Sequence, residues 1–134
     1  MPASARRATV LDARPIVLDS SCWLEFLMDT PRADLFAQAV QTPEALIVPV
    51  ITTYEVFKKI TREVNQEVAS YAVSLMRRGQ VIDIDLQLCL DAANNGLPLA
   101  DSLIYTTAQR HHATLWTQDA HFEGLPGVKY FSKT

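Results

Sequence analysis

From Ile16 onward, short apolar runs alternate with longer stretches in which apolar residues recur every three or four positions. This is the rhythm of strands alternating with helices. The runs IVLD (16–19), ALIVP (45–49), VIDI (81–84), TLWTQ (114–118) and VKYF (128–131) predict five strands. Between them, Ser20 is placed to cap a helix carrying Trp23, Leu24, Leu27 and Met28, and Thr30-Pro31 to open another carrying Leu35, Ala39 and Val40. Residues 50–64 and 66–78 predict a helical hairpin that Gly79 stops. Asp85 predicts the cap of a helix through Leu86, Leu90 and Ala93 to Gly96, and a last helix runs from about Ala100 to His112, after Pro98. Alternation of this kind builds an α/β fold, a small, mostly parallel sheet of four to five strands flanked by helices.

At 134 residues and 49% hydrophobic, the chain suits one domain around a single core, expected over residues 15–134. Residues 1–14, rich in Ala, Arg and Ser, read as a disordered leader or a start placed too early. No apolar stretch approaches the ~18–20 residues needed to cross a bilayer. Cys22 and Cys89, both in apolar surroundings, lack a second pair and read as buried thiols in a reducing cytosol, which places the protein in the cytoplasm. The 12 basic and 15 acidic side chains give a formal charge of -3, so there is no broad basic field of the simple nucleic-acid-binding kind. Were four acids gathered at one site, the other 11 would face 12 bases, and the negative charge would be local.

Three acids stand where such a gathering is expected. Asp19 ends the first strand, Asp101 opens the helix after Pro98, and Asp119 follows the fourth strand. In a parallel sheet all carboxyl ends share one edge, where open α/β folds bind ligands. Glu55, in the helix after the second strand, can lean over the same edge. Singly, each has an ordinary explanation: a cap or turn for the aspartates, a solvent-facing position beside Lys58 and Lys59 for Glu55. Jointly they conflict, because two carboxylates ~4 Å apart repel by roughly 4 kcal/mol at an effective dielectric near 20. A divalent cation resolves the conflict, and an all-oxygen donor set favours Mg²⁺ or Mn²⁺. Such a site suits phosphodiester hydrolysis.

The segments IVLDSSCWLEFL, LIVPVITTYEVFKK, LPLADSLIYTTAQRHHATLWTQDAHF and GVKYF, in this order, resemble the PIN-domain ribonucleases, most closely the VapC-type toxins of toxin–antitoxin pairs. The resemblance covers nearly the whole chain from Ile16, and its specificity lies in combined spacing: 36 positions from Asp19 to Glu55, 46 to Asp101 and 18 to Asp119. It implies a PIN-like fold and a Mg²⁺- or Mn²⁺-dependent endoribonuclease in which Asp19, Glu55, Asp101 and Asp119 are the catalytic metal ligands. It implies supporting hydroxyls at Ser21 and Thr117, whose ordinary roles would be capping and strand propensity. It further implies an RNA substrate, a homodimer, and a cognate antitoxin whose tail packs into a helix-lined groove and presents a cation to the acids. From the residues themselves, the 50–78 helical pair is apolar enough to bury a partner. His111-His112 departs from the pattern by standing where the family often has a glycine-containing turn.

His111, His112 and His121 lack the spacing of zinc hydrolases. A loop histidine is ordinarily polar surface, with contact to a phosphate the lesser alternative for His121. Lys58, Lys59, Arg62, Arg77, Arg78 and Arg110 are candidates for a cationic rim, although a solvated helix face explains any one of them better. Among rival readings, a non-catalytic receiver-like regulatory module needs a phospho-acceptor Asp ending its third strand and a Lys ending its fifth, whereas VIDID and a Lys129 inside the last strand fit poorly. A haloacid-dehalogenase-type phosphatase needs an Asp where Ser21 stands, and the four glycines form no phosphate-cradling loop after the first strand. The presence of all four acids argues against a PIN scaffold used only for binding, whereas an RNA-processing PIN nuclease without an antitoxin shares the sequence features of the toxin.

Overall fold

The computed structural model describes residues 14–133, so the expected leader, Arg14 apart, lies outside the described residues. Five short strands form: β1 (Ile16–Leu18), β2 (Ile47–Pro49), β3 (Gln80–Ile82), β4 (Thr114–Thr117) and β5 (Val128–Tyr130). The helices are α1 (Ser20–Leu27), α2 (Asp34–Val40), α3 (Val50–Glu63), α4 (Gln66–Met76), α5 (Leu86–Ala92) and α6 (Leu99–Arg110), with single 3-10 turns at Pro43–Ala45 and Ala120–Phe122. All strand pairs are parallel: β4 lies between β1 and β5, and β2 pairs with β3. A bridge between Ile16 and Leu46 joins the two groups in the order β3-β2-β1-β4-β5.

The two-residue period of the strands divides the core. Leu18 and Val48 pack with Trp23, Phe36, Val56, Ile60 and Met76 from α1–α4, whereas their neighbours Val17 and Ile47 pack with Leu115, Phe122 and the α6 residues Ile104 and Tyr105. Helices thus cover both faces, which is why the central strands β1 and β2 read as continuous apolar runs. Among the described residues no helix is long and apolar enough to cross a membrane.

Several local expectations are corrected. Asp19, rather than Ser20, is the N-cap of α1, its carboxylate accepting from the Ser20 amide at 2.8 Å. Thr30-Pro31 forms a turn, with the Thr30 hydroxyl accepting from Arg32 N, and α2 starts only at Asp34. α5 buries Leu88 and Ala92, leaving Leu86 and Leu90 75% and 54% exposed. Of the two thiols, Cys22 is buried, with its pKa pushed upward by desolvation, but Cys89 is exposed. His112 adopts φ 53°, the left-handed region that glycine enters without penalty, at the turn where the resemblance implies a glycine.

Gly79 follows α4 for a different reason from the expected helix stop, since it is not among the residues of positive φ. A Cβ there would meet Leu46 Cβ at 2.9 Å and Leu46 O at 3.1 Å, so glycine is needed for the chain to enter β3 beside β2. Gly79→Ala is therefore expected to destabilise the fold by about 1–3 kcal/mol, the cost of overpacking. In urea titrations this shifts the midpoint at constant m-value; an unmoved midpoint would show that the contact yields freely.

Candidate metal centre

The parallel order brings the carboxyl ends of β1 and β4 side by side, with Asp19 N donating to Trp116 O at 2.9 Å. Asp19 is only 6% exposed. Its Oδ1 accepts from Ser20 N and its Oδ2 from the Thr117 hydroxyl, each at 2.8 Å. Burial nonetheless dominates and raises its pKa to about 6, with the Thr117 and Ser20 hydrogen bonds opposing and the charges of Asp101 and Glu55 adding to the rise. Thr117, fully buried on β4, also accepts from Asp119 N at 2.9 Å, so one hydroxyl sets the positions of two acids.

Glu55 arrives from α3 and accepts a short hydrogen bond from the Ser20 hydroxyl. Asp101 lies in the first turn of α6, where the helix N-terminus favours a carboxylate. Partial burial still raises its pKa, opposed by a hydrogen bond from His121 and reinforced by the charge of Asp119. His121 Nδ1 sits 2.9 Å from Asp101 Oδ2 and 3.3 Å from Asp119 Oδ1, while its backbone N–H donates to Asp119 Oδ1. The hydrogen bond to Asp101 and the charge of Asp119 pull the imidazole pKa upward. Ligand atoms of these three residues lie within 4.8 Å of one another, close enough to share one cation.

Asp19, Glu55, Asp101 and Asp119 all line one open cleft of about 450 Å³, together with Ser20 and Ser21. The structure thus brings together every acid that the sequence singled out, with Thr117 bonded beneath them. Ser21 Oγ is buried without a hydrogen-bond partner among the described residues, as is Nε2 of Gln118, another cleft residue. Buried polar atoms of this kind are ordinarily satisfied by ordered water. Together with a desolvated carboxylate beside like charges, they fit a hydrated divalent cation.

Sequence reasoning missed three contributors. Ser20 holds Glu55, but the choice between adjacent serines depends on how the helix starts. His121 is at the surface, as read, but also links two acids, a contact the sequence did not mark. None of the six candidate rim cations lines the cleft: Lys58 lies against Tyr54, Lys59 pairs with Glu63 and Arg110 with Asp85. Among the described residues the cation that lines the cleft is Lys133, which no motif marks.

This fold and site define a PIN domain. The PIN family profile matches residues 16–128, and the chain belongs to that family, which sets aside the receiver-like fold. No curated protein sequence matches the chain. Its fold is similar to that of a toxin–antitoxin complex from Klebsiella pneumoniae, with TM-score 0.71 and 22% identity over 85% of this chain and 95% of that one. VapC20 from Mycobacterium tuberculosis, a Sarcin-Ricin loop cleaving toxin, is similar at TM-score 0.69 and 14% identity over 83% and 95% of the two chains. FitAcB from Neisseria gonorrhoeae gives TM-score 0.60 and 20% identity over 87% and 96%.

Proposed function

We propose that the chain is a Mg²⁺- or Mn²⁺-dependent endoribonuclease and the toxin of a VapBC-type pair. The observation that carries this reading is the convergence of Asp19, Glu55, Asp101 and Asp119 in one cleft of a PIN domain. These four residues are the ligands in this reading. When bound there, the cation supplies the positive charge that phosphodiester hydrolysis requires. Thr117 orients Asp19, Ser20 orients Glu55, and His121 keeps Asp101 and Asp119 together. Ser21 offers its unpaired hydroxyl to water at the cleft wall.

Similarity to the toxin–antitoxin complex from Klebsiella pneumoniae supports a protein antitoxin as partner. The exposed Leu86, Leu90 and Leu99 provide apolar surface for that partner or for a second copy of the chain. An RNA target and the pairing with an antitoxin place the action in the cytoplasm.

The purified chain, incubated with total cellular RNA, is expected to cut at a defined site in Mg²⁺ or Mn²⁺ and not in EDTA, as mapped by sequencing the new ends. Intact RNA under both metals would overturn the reading. The toxin role further requires growth arrest on expression, relieved by the adjacent gene product. Harmless expression of an active nuclease would make it a processing enzyme instead.

A further inference from the structure

An acidic cleft repels RNA, which carries a negative charge at every phosphate, so binding needs a cation on the side the strand approaches. Among the described residues, the cation lining the cleft is Lys133. It is exposed, and no carboxylate of the described residues forms an ion pair with it.

The chain leading to Lys133 is firmly held. Phe131 N donates to Thr117 O at 2.8 Å, and the Phe131 ring packs on Phe36 and Trp116 with centroids 5.0 and 5.4 Å away. Arg32 reaches across from the turn before α2, its NH2 donating to the carbonyls of Phe131 at 3.4 Å and Ser132 at 3.2 Å. Its Nε donates to Oε1 of Gln118, a cleft residue, and lies 3.4 Å from Glu25. A guanidinium only donates, so this contact fixes which way the Gln118 amide faces. The network fastens the backbone leading into the cleft's cation, whose ammonium forms no ion pair with the other described residues.

We propose that Lys133 contacts a phosphate of the bound RNA strand and that Arg32 is the positioning residue that delivers it. This rests on the nuclease reading above. A compact ammonium with three rotatable donors suits phosphate oxygens and carries no base preference, so the contact sets affinity and register rather than sequence choice.

The test uses the full chain and a fluorescein-labelled single-stranded RNA. Binding is followed by anisotropy in EDTA, which silences metal-dependent cleavage, and turnover separately in Mg²⁺. Lys133→Gln is expected to make the slope of log affinity against log salt shallower by about 0.7, the loss of one single-strand phosphate contact. Between 50 and 200 mM salt, the advantage of the unmodified chain then shrinks about 2.6-fold. In turnover KM rises while kcat stays within about twofold, the signature of lost uniform binding. Lys133→Arg keeps the slope. Arg32→Ala reproduces the loss, and adding Lys133→Gln to it changes nothing further, a non-additivity that general destabilisation does not produce. An unchanged slope and KM in Lys133→Gln, with cleavage intact, overturns the proposal and leaves the nuclease reading standing. A shallower slope in a chain that never cleaves RNA supports the phosphate contact and sinks the nuclease. Absence of RNA binding by the unmodified chain overturns the proposal.

Discussion

Replacing Asp19 with asparagine is expected to abolish metal-dependent RNA cleavage and, in the same molecule, to raise the melting temperature of the metal-free protein by roughly 5 °C. Burial lifts the Asp19 pKa from 3.8 to about 6, so holding this carboxylate ionised at neutral pH costs about 3 kcal/mol. Asparagine removes that cost. It also weakens one of the two hydrogen bonds from Ser20 N and Thr117, returning about 1 kcal/mol. A net gain of about 2 kcal/mol remains for the empty site. With divalent cation present the order should reverse, because only the unmodified chain gains from binding. Thermal melts with and without Mg²⁺, run beside the cleavage assay, measure both halves. A variant that melts lower than the unmodified chain in EDTA would mean that Asp19 is chiefly a structural cap.

The second large effect is on pH. In EDTA, stability should fall steadily from about pH 4 to above pH 7. A carboxylate whose folded pKa is raised binds more protons folded than unfolded between the two values, so its contribution is fully present below the unfolded value and is lost as pH rises through the folded one. For Asp19 that window runs from 3.8 to about 6. Asp101, raised by partial burial, acts in the same direction. So does His121, whose raised pKa extends the decline above 6.5. Asp85 acts oppositely: hydrogen bonds from Leu88 N and Arg110 lower its pKa, so its contribution is lost only as pH falls below 3.8. Mg²⁺ should flatten the decline by binding the ionised acids, stabilising strongly at pH 7.5 and little at pH 5. Urea midpoints across this range, with and without Mg²⁺, are the measurement. Stability that climbs from pH 5 to 7.5 in EDTA would contradict it.

The sequence made the central strands legible because both faces of the sheet are buried there, and β1 and β2 are bare apolar runs, IVL at 16–18 and IVP at 47–49. It made the acids legible because parallel order turns three strand-end or helix-start positions into one location. Its errors are those of local reasoning. In α5, Leu86, Leu88 and Leu90 offer apolar groups all round a seven-residue helix, and only packing against α6 selects Leu88. Asp-Ser-Ser offers three successive capping side chains, and the register of β1 against β4 decides for Asp19. Gly79 is read equally well as a helix stop or as a spacer until Leu46 is known to lie against it. Lys133 owes its place to contacts between Arg32 and residues 99 and 100 positions away, a relation that no window along the chain contains.

The sheet ends at β3 on one side and β5 on the other, each three residues long. A stray strand docking on either flank gains only a couple of backbone hydrogen bonds, and on the β5 side it meets Lys129, whose ammonium rests over the Trp116 ring at 4.3 Å. Brevity at both borders therefore guards against edge-to-edge aggregation.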